Sequence, residues 1–482
     1  MKSKIVDMST HEVFAGSRST HAGSARHFPR HLSPPPASDC PCQDERRRAK
    51  LRGMIAPPRW IEEPPASAPF HIMVKPIGPK CNLDCTYCFY LEKDVLFGAG
   101  EKWKMDEALL KTYVRRYIEA QPPGSGTVVF AWQGGEPTLC GVDFFEKAVC
   151  FQKQYAGGRT IENAFQTNGT LLDDEWGAFL KRENFLVGIS IDGPEKVHDA
   201  LRVTRGGKGS FREVMRGLDV LKRHRVDFNT LTCVNAVNAD KGAEVYDFLR
   251  EAGSRYMQFI PIIERLPDAE AEKLGLSHAA PPRFEEEDEN LKAPVTSWSV
   301  QPKAYGRFMW QIFKRWIRRD VGTVYVQMFD TALGKWAGVP GGVCVYNEEC
   351  GRALALEHDG SLYSCDHFVY PRYRLGNIAD EPMSAMVDSA FQTGFGKDKS
   401  RLLPRFCREC EFRFTCNGGC PKHRFLSTPD GEPGLNYLCS GYRFIFGKMD
   451  PYMKAMAALY KAGRPPAEVM DMIRERKLSK PA

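Results

Sequence analysis

No stretch of this 482-residue chain approaches the roughly 20 consecutive apolar residues that a membrane-spanning helix needs, so no membrane anchor is expected. The basic N-terminal segment lacks the apolar core of a secretion signal. With sixteen cysteines and no export signal, a disulfide framework is disfavoured and a reducing, cytoplasmic setting is expected. The body of the chain also lacks surplus positive charge. Net charge is +7, yet residues 1–59 alone hold eleven Lys and Arg against five Asp and Glu. What remains is close to neutral, so no phosphate-tracking surface and no nucleic-acid partner are expected. Residues 1–65, with Pro34-Pro35-Pro36 and Arg46-Arg47-Arg48, read as a disordered basic arm, and Met54 offers an alternative start.

What the chain does have is cysteine in ligand spacing. Cys81, Cys85 and Cys88 form a C-x3-C-x2-C run, and three thiolates so spaced can hold three irons of a [4Fe–4S] cube while leaving the fourth open. Zinc is the alternative, but it asks for a fourth Cys or His and only His71 is near. Further along stand Cys344, Cys350, Cys365, Cys407, Cys410, Cys416, Cys420 and Cys439. Eight thiolates suffice for two fully ligated cubes or for two zinc sites. Cys40, Cys42, Cys140, Cys150 and Cys233 show no ligand spacing, and the last three read as small packing residues.

From residue 70 onward, strand-like runs at 70–76, 127–132, 163–167, 186–191, 227–234 and 256–262 alternate with helical patterns near 106–120, 142–155, 173–182, 211–224 and 240–252. The alternation predicts right-handed βαβ units and a partial (β/α)6 barrel over 66–300, with chemistry at the C-terminal strand ends. Residues 264–300, with Glu285-Glu286-Glu287-Asp288-Glu289, read as a solvated surface excursion. A linker helix region (301–343, aromatic-rich near 303–319), a cysteine-rich domain (344–445) and a helical tail (446–482) complete the expected organisation.

Candidate ligand contacts cluster at predicted strand ends. Gln133-Gly134-Gly135-Glu136-Pro137 follows the second strand; its glycines permit close backbone approach and Glu136 offers a carboxylate to an ammonium group. Asn168-Gly169 closes the third strand, and Ser190 ends the fourth before Asp192-Gly193. Arg202, shortly beyond, can pair a carboxylate bidentately.

The cysteine loop, with Tyr87 before its last cysteine, and the Gly134-Gly135-Glu136-Pro137 turn resemble the radical S-adenosylmethionine (SAM) superfamily over about residues 68–265. The resemblance implies that the open iron chelates SAM and that its reductive cleavage yields a hydrogen-abstracting 5′-deoxyadenosyl radical. Carried over by position, Tyr87 and the backbone of Ile263 would contact adenine, Gly134, Gly135 and Glu136 the amine, and Ser190 and Arg202 the ribose and carboxylate. The second cysteine group, with Leu375-Gly376-Asn377-Ile378, resembles the SPASM domain. That implies one auxiliary cluster on Cys344, Cys350, Cys365 and Cys420, and an outer one on Cys407, Cys410, Cys416 and Cys439.

Three longer segments and the Cys365-Asp366 pair narrow the resemblance. Phe130-Ala131-Trp132 running into Gln133–Leu139, Gln166-Thr167-Asn168-Gly169-Thr170-Leu171, and the run from Leu186 to Pro194 are similar to the anaerobic sulfatase-maturating enzymes over about residues 70–445. Membership implies three [4Fe–4S] clusters, SAM, and oxidation of a sulfatase Cys or Ser to Cα-formylglycine through hydrogen abstraction at its β-carbon. Asp366 would be the base, and the adjacent cluster would accept an electron. A carboxylate is weak against a thiol of pKa about 8.5, so the radical must acidify that proton. Tyr90 and Gln133 would touch the substrate, a nascent or unfolded sulfatase bearing Cys/Ser-x-Pro-x-Arg. A flavodoxin or ferredoxin would donate electrons. The N-terminal arm has no counterpart in the family pattern, and 264–300 diverges.

Two rivals carry different expectations. Another SPASM peptide maturase, thioether-forming or crosslinking, would keep the cysteines without needing Asp366. Many such enzymes carry an N-terminal peptide-recognition domain, whereas residues 1–65 show no strand and helix alternation. A non-catalytic electron carrier or zinc module is opposed by the open three-cysteine site.

Overall fold

The computed structural model describes residues 62–98, 102–282, 294–476 and 478. Most of the basic arm, with Cys40 and Cys42, and the Glu285–Glu289 acidic run lie outside the described residues. Six parallel strands follow the expected alternation: β1 (His71–Val74), β2 (Thr127–Trp132), β3 (Thr160–Thr167), β4 (Leu186–Ser190), β5 (Asp227–Val234) and β6 (Tyr256–Pro261). Between them run α1 (Glu107–Glu119), α2 (Val142–Tyr155), α3 (Asp174–Arg182), α4 (Phe211–Arg223) and α5 (Gly242–Glu251). Asp106 and Asp173 cap α1 and α3 by accepting from the backbone N–H groups of Leu109 and Trp176, which satisfies donors that no helical carbonyl can reach. Phe130, Trp132, Phe145 and Phe165 are fully buried and meet edge-on, Trp132 to Phe145 at 5.3 Å and Phe145 to Phe165 at 5.0 Å. A parallel sheet covered by helices requires such strands, apolar on both faces.

The sheet does not stop at six strands. β7 (Tyr325–Val326) adds parallel to β6. On the opposite edge β8 (Ala353–Leu356) adds parallel to β1, and β9 (Ser361–Tyr363) and β10 (Arg374–Asn377) continue antiparallel, giving ten strands in the order β10-β9-β8-β1-β2-β3-β4-β5-β6-β7. The cysteine-rich half thus grows directly out of the barrel edge. Its strands, two to four residues long, are too short for a readable alternation.

One expectation is corrected. The segment 264–300 is not wholly a surface excursion. Residues Ala269–Leu274 form a helix capped by Asp268, and Ala271, Leu276 and Ala280 are buried against Phe368, Tyr370 and Tyr373 of the cysteine-rich half. Small apolar residues in a polar stretch leave no periodic signal, yet they suffice to seat the loop.

The remaining long helices are α6 (Pro302–Arg319), α7 (Gln327–Ala337), α8 (Ala390–Arg401) and α9 (Cys439–Lys461). The aromatic-rich α6 buries Tyr305, Phe308, Phe313 and Trp316 along one face. Two glycines let its backbone approach its neighbours. A Cβ at Gly242 in α5 would stand 2.4 Å from the Phe308 carbonyl oxygen, and one at Gly441 in α9 would stand 2.1 Å from that of Pro302. Among the described residues no helix is long and apolar enough to cross a membrane.

Gly441→Ala should therefore push α9 off α6 and destabilise the chain by about 1–3 kcal/mol, the usual overpacking range. Gly447→Ala, in the same helix with its nearest neighbour at 3.7 Å, should be neutral or stabilising through helix propensity. Urea denaturation of the two variants beside wild type checks the contrast.

Candidate functional site

The C-terminal ends of the parallel strands converge on the Cys81–Cys88 loop. Its backbone is held as a strand-like rung: the Asp84 N–H donates to the Val203 carbonyl at 2.8 Å and the Thr86 N–H to that of Leu201 at 3.0 Å. Arg205 donates twice to the Cys81 carbonyl. From the other side, the Asn82 amide donates to Thr170 Oγ1 at 2.8 Å and accepts from the Asn168 amide at 2.8 Å. The three thiols are electrostatically coupled, and burial pushes Cys81 up to about 12 and raises Cys85 and Cys88 as well. Thiols so buried stay protonated unless a metal displaces the proton.

The Gly134-Gly135 turn packs directly on this loop. A Cβ on Gly135 would lie 1.9 Å from the Lys80 carbonyl oxygen, and the Gly135 and Glu136 N–H groups donate to Gly78 and Lys80 at 2.8 and 2.9 Å. Glu136 does not face outward as an ammonium partner. Its carboxylate is 1% exposed and accepts from Thr138 N–H, Thr138 Oγ1, Thr167 Oγ1 and Asn168 N–H, at 2.7 to 3.0 Å. It buckles the β2 turn to the β3 turn. Desolvation raises its pKa, and these donors pull it back.

Arg202 meets a carboxylate of the chain itself. Its Nε lies 3.0 Å from Asp192 Oδ2, which also accepts from Tyr87 Oη at 2.5 Å, and the guanidinium sits over the Tyr87 ring. Ser190, half-buried at the end of β4, accepts from the Gln166 amide at 3.0 Å. Ile263 is buried just past β6. Cys140 is buried as expected. Cys233 departs from its expected packing role. At the C-terminal end of β5, its sulfur stands 3.5 Å from an Arg202 Nη, at the barrel mouth, because the last residues of a barrel strand face the site.

The cysteine-rich half reaches the same mouth. Asp366, in the turn after β9, forms an ion pair with Lys75, the residue after β1, and that Lys75 sits 3.7 Å over the Tyr90 ring. Lys75 lowers the proton affinity of Asp366 against the burial that would raise it. Tyr90 is 4% exposed and donates to Glu357 at 2.5 Å. Gln133, half-buried at the end of β2, is anchored through its backbone N–H to Val74. A second pair, Lys422 to Glu264 at 2.5 Å, joins the loop after Cys420 to the segment after β6. Lys75, Glu357 and Lys422 carry no sequence signal of their own.

Seven of the eight other spaced cysteines fall into two groups: the charge of Cys365 interacts with Cys420 and Cys350, whereas that of Cys416 interacts with Cys439, Cys407 and Cys410. The Cys344 carbonyl accepts from Lys399. Burial raises Cys416 to about 12 and Cys420 to about 11. Three thiols on one loop and eight in the second half are the donor chemistry that iron–sulfur cubes take, one thiolate to each iron.

Comparison with known proteins agrees. Residues 76–249 match the radical SAM superfamily, and residues 344–411 match an iron–sulfur cluster-binding domain, SPASM. The chain is similar to a serine-type anaerobic sulfatase-maturating enzyme of Bacteroides thetaiotaomicron, 42% identical over 86% of this chain and 97% of that protein. It is similar to a cysteine-type counterpart of Clostridium novyi at 32% identity, over 78% of this chain and 94% of the other. Among solved structures, native anSMEcpe with bound AdoMet and Cp18Cys peptide superposes with a TM-score of 0.68 at 31% identity, covering 81% of this chain and 99% of that one.

Behind Asp192 stands His198, fully buried, with Nδ1 accepting from the Asp192 N–H at 3.3 Å and Nε2 against Ser210 Oγ at 3.1 Å. Desolvation, then Arg202, lower its pKa to about 4. The unfolded chain takes up this proton below its ordinary value near 6.5 while the folded chain refuses it, so stability falls as pH drops through that window. The loss should reach about 1 kcal/mol by pH 5.5. His198→Gln should flatten the slope of urea stability between pH 7.5 and 5.5.

Proposed function

The chain belongs to the anaerobic sulfatase-maturating enzymes of the radical SAM superfamily, and we propose on that footing that it oxidises a serine or cysteine of a sulfatase polypeptide to Cα-formylglycine. One observation carries the reading: Asp366 of the SPASM half is ion-paired to Lys75 at the end of β1, on the same rim as the three-cysteine loop. A radical-generating centre and a proton acceptor then serve neighbouring atoms of one substrate residue, the β-carbon and its hydroxyl or thiol.

Cys81, Cys85 and Cys88 would hold the SAM-binding cluster. Cys344, Cys350, Cys365 and Cys420 would hold the inner auxiliary cluster, and Cys407, Cys410, Cys416 and Cys439 the outer one. SAM bound at the open iron supplies a hydrogen-abstracting adenosyl radical. Around it, Tyr87, Gly134, Gly135, Ser190, Arg202 and Ile263 would orient the cofactor, with Glu136 fixing the turn from behind. Asp366 takes the side-chain proton of the target, Lys75 holds that carboxylate in place, and Tyr90 and Gln133 line the approach. The serine-type relative at 42% identity, against 32% for the cysteine-type, favours serine as the target. A low-potential flavodoxin or ferredoxin is the expected electron donor, and the cytoplasm the expected setting.

Anaerobically reconstituted enzyme with SAM and reductant should convert a Ser-x-Pro-x-Arg peptide to an aldehyde that hydrazine traps, read by mass spectrometry. SAM cleavage with both the serine and the cysteine peptide unchanged would move the chain to another peptide substrate. Asp366→Asn should still cleave SAM but yield no aldehyde; an undiminished aldehyde yield removes Asp366 from the mechanism. Replacing Cys81, Cys85 or Cys88 by Ala should abolish SAM cleavage. Iron analysis should return about twelve irons per chain, the content of three cubes.

A further inference from the structure

Two cations in the cysteine-rich half are buried without an anion. Arg424 is 1% exposed, and every partner of its guanidinium is a backbone carbonyl: Nε donates to Gly418 at 3.0 Å, Nη1 to Lys399 at 2.6 Å, and Nη2 to Asn417 at 2.8 Å and Gly419 at 3.3 Å. Lys399, at the end of α8 and also 1% exposed, donates to the carbonyls of Cys344 at 2.5 Å, Val345 at 3.2 Å and Asn347. Among the described residues neither forms an ion pair with Asp or Glu. Carbonyls satisfy the donors, but they do not neutralise the charge. An uncompensated buried cation is costly, and its hydrogen bonds alone do not offset that.

The position of Arg424 identifies the missing anion. Its guanidinium donates to the carbonyls of Asn417, Gly418 and Gly419, the residues that join Cys416 of the outer set to Cys420 of the inner set. Burial weakens its hold on the proton, and the charges of Cys350, Cys420, Cys407 and Cys416 restore it. Arg424 is therefore tied to the loop that joins the two quartets. Gly418 leaves it room, since a Cβ there would come within 2.7 Å of the guanidinium. Through the Lys399 carbonyl it also braces the lysine that holds the Cys344 loop.

Resting on the reading of those quartets as cluster ligands, we propose that Arg424 and Lys399 are a built-in counter-cation pair that raises the reduction potentials of the auxiliary clusters. A cube with four thiolates is anionic, and taking up one electron adds a further negative charge in a dry interior. A fixed positive charge close by stabilises the reduced form more than the oxidised one, so the potential rises. The function served is the acceptance of the single electron that the substrate radical loses on becoming the aldehyde. Because its charge reaches both sets, Arg424 raises the potential of whichever cluster takes up that electron.

The test is an EPR-monitored redox titration of the full chain in a Cys81, Cys85, Cys88→Ala background, where only auxiliary signals remain. Arg424→Gln and Lys399→Gln should shift the auxiliary midpoints to more negative values, and Arg424→Lys should restore them. Assembled clusters with unchanged midpoints in both Gln variants overturn the proposal. Should Arg424→Gln fail to assemble clusters, Arg424→Lys decides: assembly with a near-wild-type midpoint supports a charge role, and failure like the Gln variant assigns the residue to bracing alone. Absence of auxiliary signals without either substitution would instead sink the cluster reading beneath it.

Discussion

The pairing of β8 with β1 is the constraint on which the rest of the molecule depends. Four consecutive residues are in parallel register, His71 with Ala353 through Val74 with Leu356, and the Lys75 N–H extends the ladder to the Leu356 carbonyl at 2.8 Å. This places the residues that follow both strands, Lys75 and Glu357, side by side at one rim. Ten residues beyond Leu356, after one hairpin, the chain delivers Cys365 and Asp366 to the same place. A one-residue slip would turn every side chain of β8 to the opposite face and carry the hairpin with it. The second half is thus an extension of the barrel's own sheet, and the distance between its proton acceptor and the cysteine loop is set by backbone hydrogen bonds rather than by a flexible interface.

Around that rim interior charges bridge elements distant in sequence, Lys75 with Asp366, Lys422 with Glu264 and Tyr90 hydrogen-bonded to Glu357, while Arg202 pairs with Asp192 within the segment after β4. Such pairs add little net stability, since desolvation offsets most of their attraction. What they supply is geometry, because moving any one partner strands a charge in a dry interior. The site is therefore over-determined by its own electrostatics. Lys93 over the Tyr370 ring and Arg116 on backbone carbonyls also lack a carboxylate, but Arg424 and Lys399 alone among these hold the loops of Cys344 and Cys416–Cys420, which directs attention to the thiolates.

How far the sequence disclosed this follows from what kind of signal each feature leaves. β2 and β5 and helix α2 stand at the expected bounds, since long apolar runs bounded by polar turns are read directly. β7 to β10 went unseen because strands of two to four residues carry no periodicity, so the fusion of the two halves was also unseen. The site cysteines were legible because ligand spacing is local. Glu136 was legible as important but not in its role: a carboxylate after two glycines looks like a ligand group, and only the three-dimensional convergence of Thr138, Thr167 and Asn168 shows it turned inward. Cys233 and Lys75 were missed for the same reason. Their significance lies in neighbours 31 to almost 300 residues away, which no window of sequence contains.

On the proposed reading of Asp366 as the base, the Lys75–Asp366 pair would also set the order of events at the substrate. A carboxylate whose proton affinity is lowered by an adjacent ammonium cannot remove the proton of a serine hydroxyl in its ground state, an acid far weaker than any carboxylic acid. Once the β-carbon has lost its hydrogen, the neighbouring O–H becomes much more acidic, because its electron pair can enter the developing carbonyl as one electron departs. Asp366 is suited to that moment alone. Lys75 keeps it ionised and in register as an open acceptor rather than making it a stronger base. When the proton arrives, the ion pair loosens, and the Lys75 charge remains over the Tyr90 ring, close to Glu357 through the Tyr90 hydroxyl. On that reading proton acceptance would be gated by the radical step, and an idle enzyme would not ionise its target.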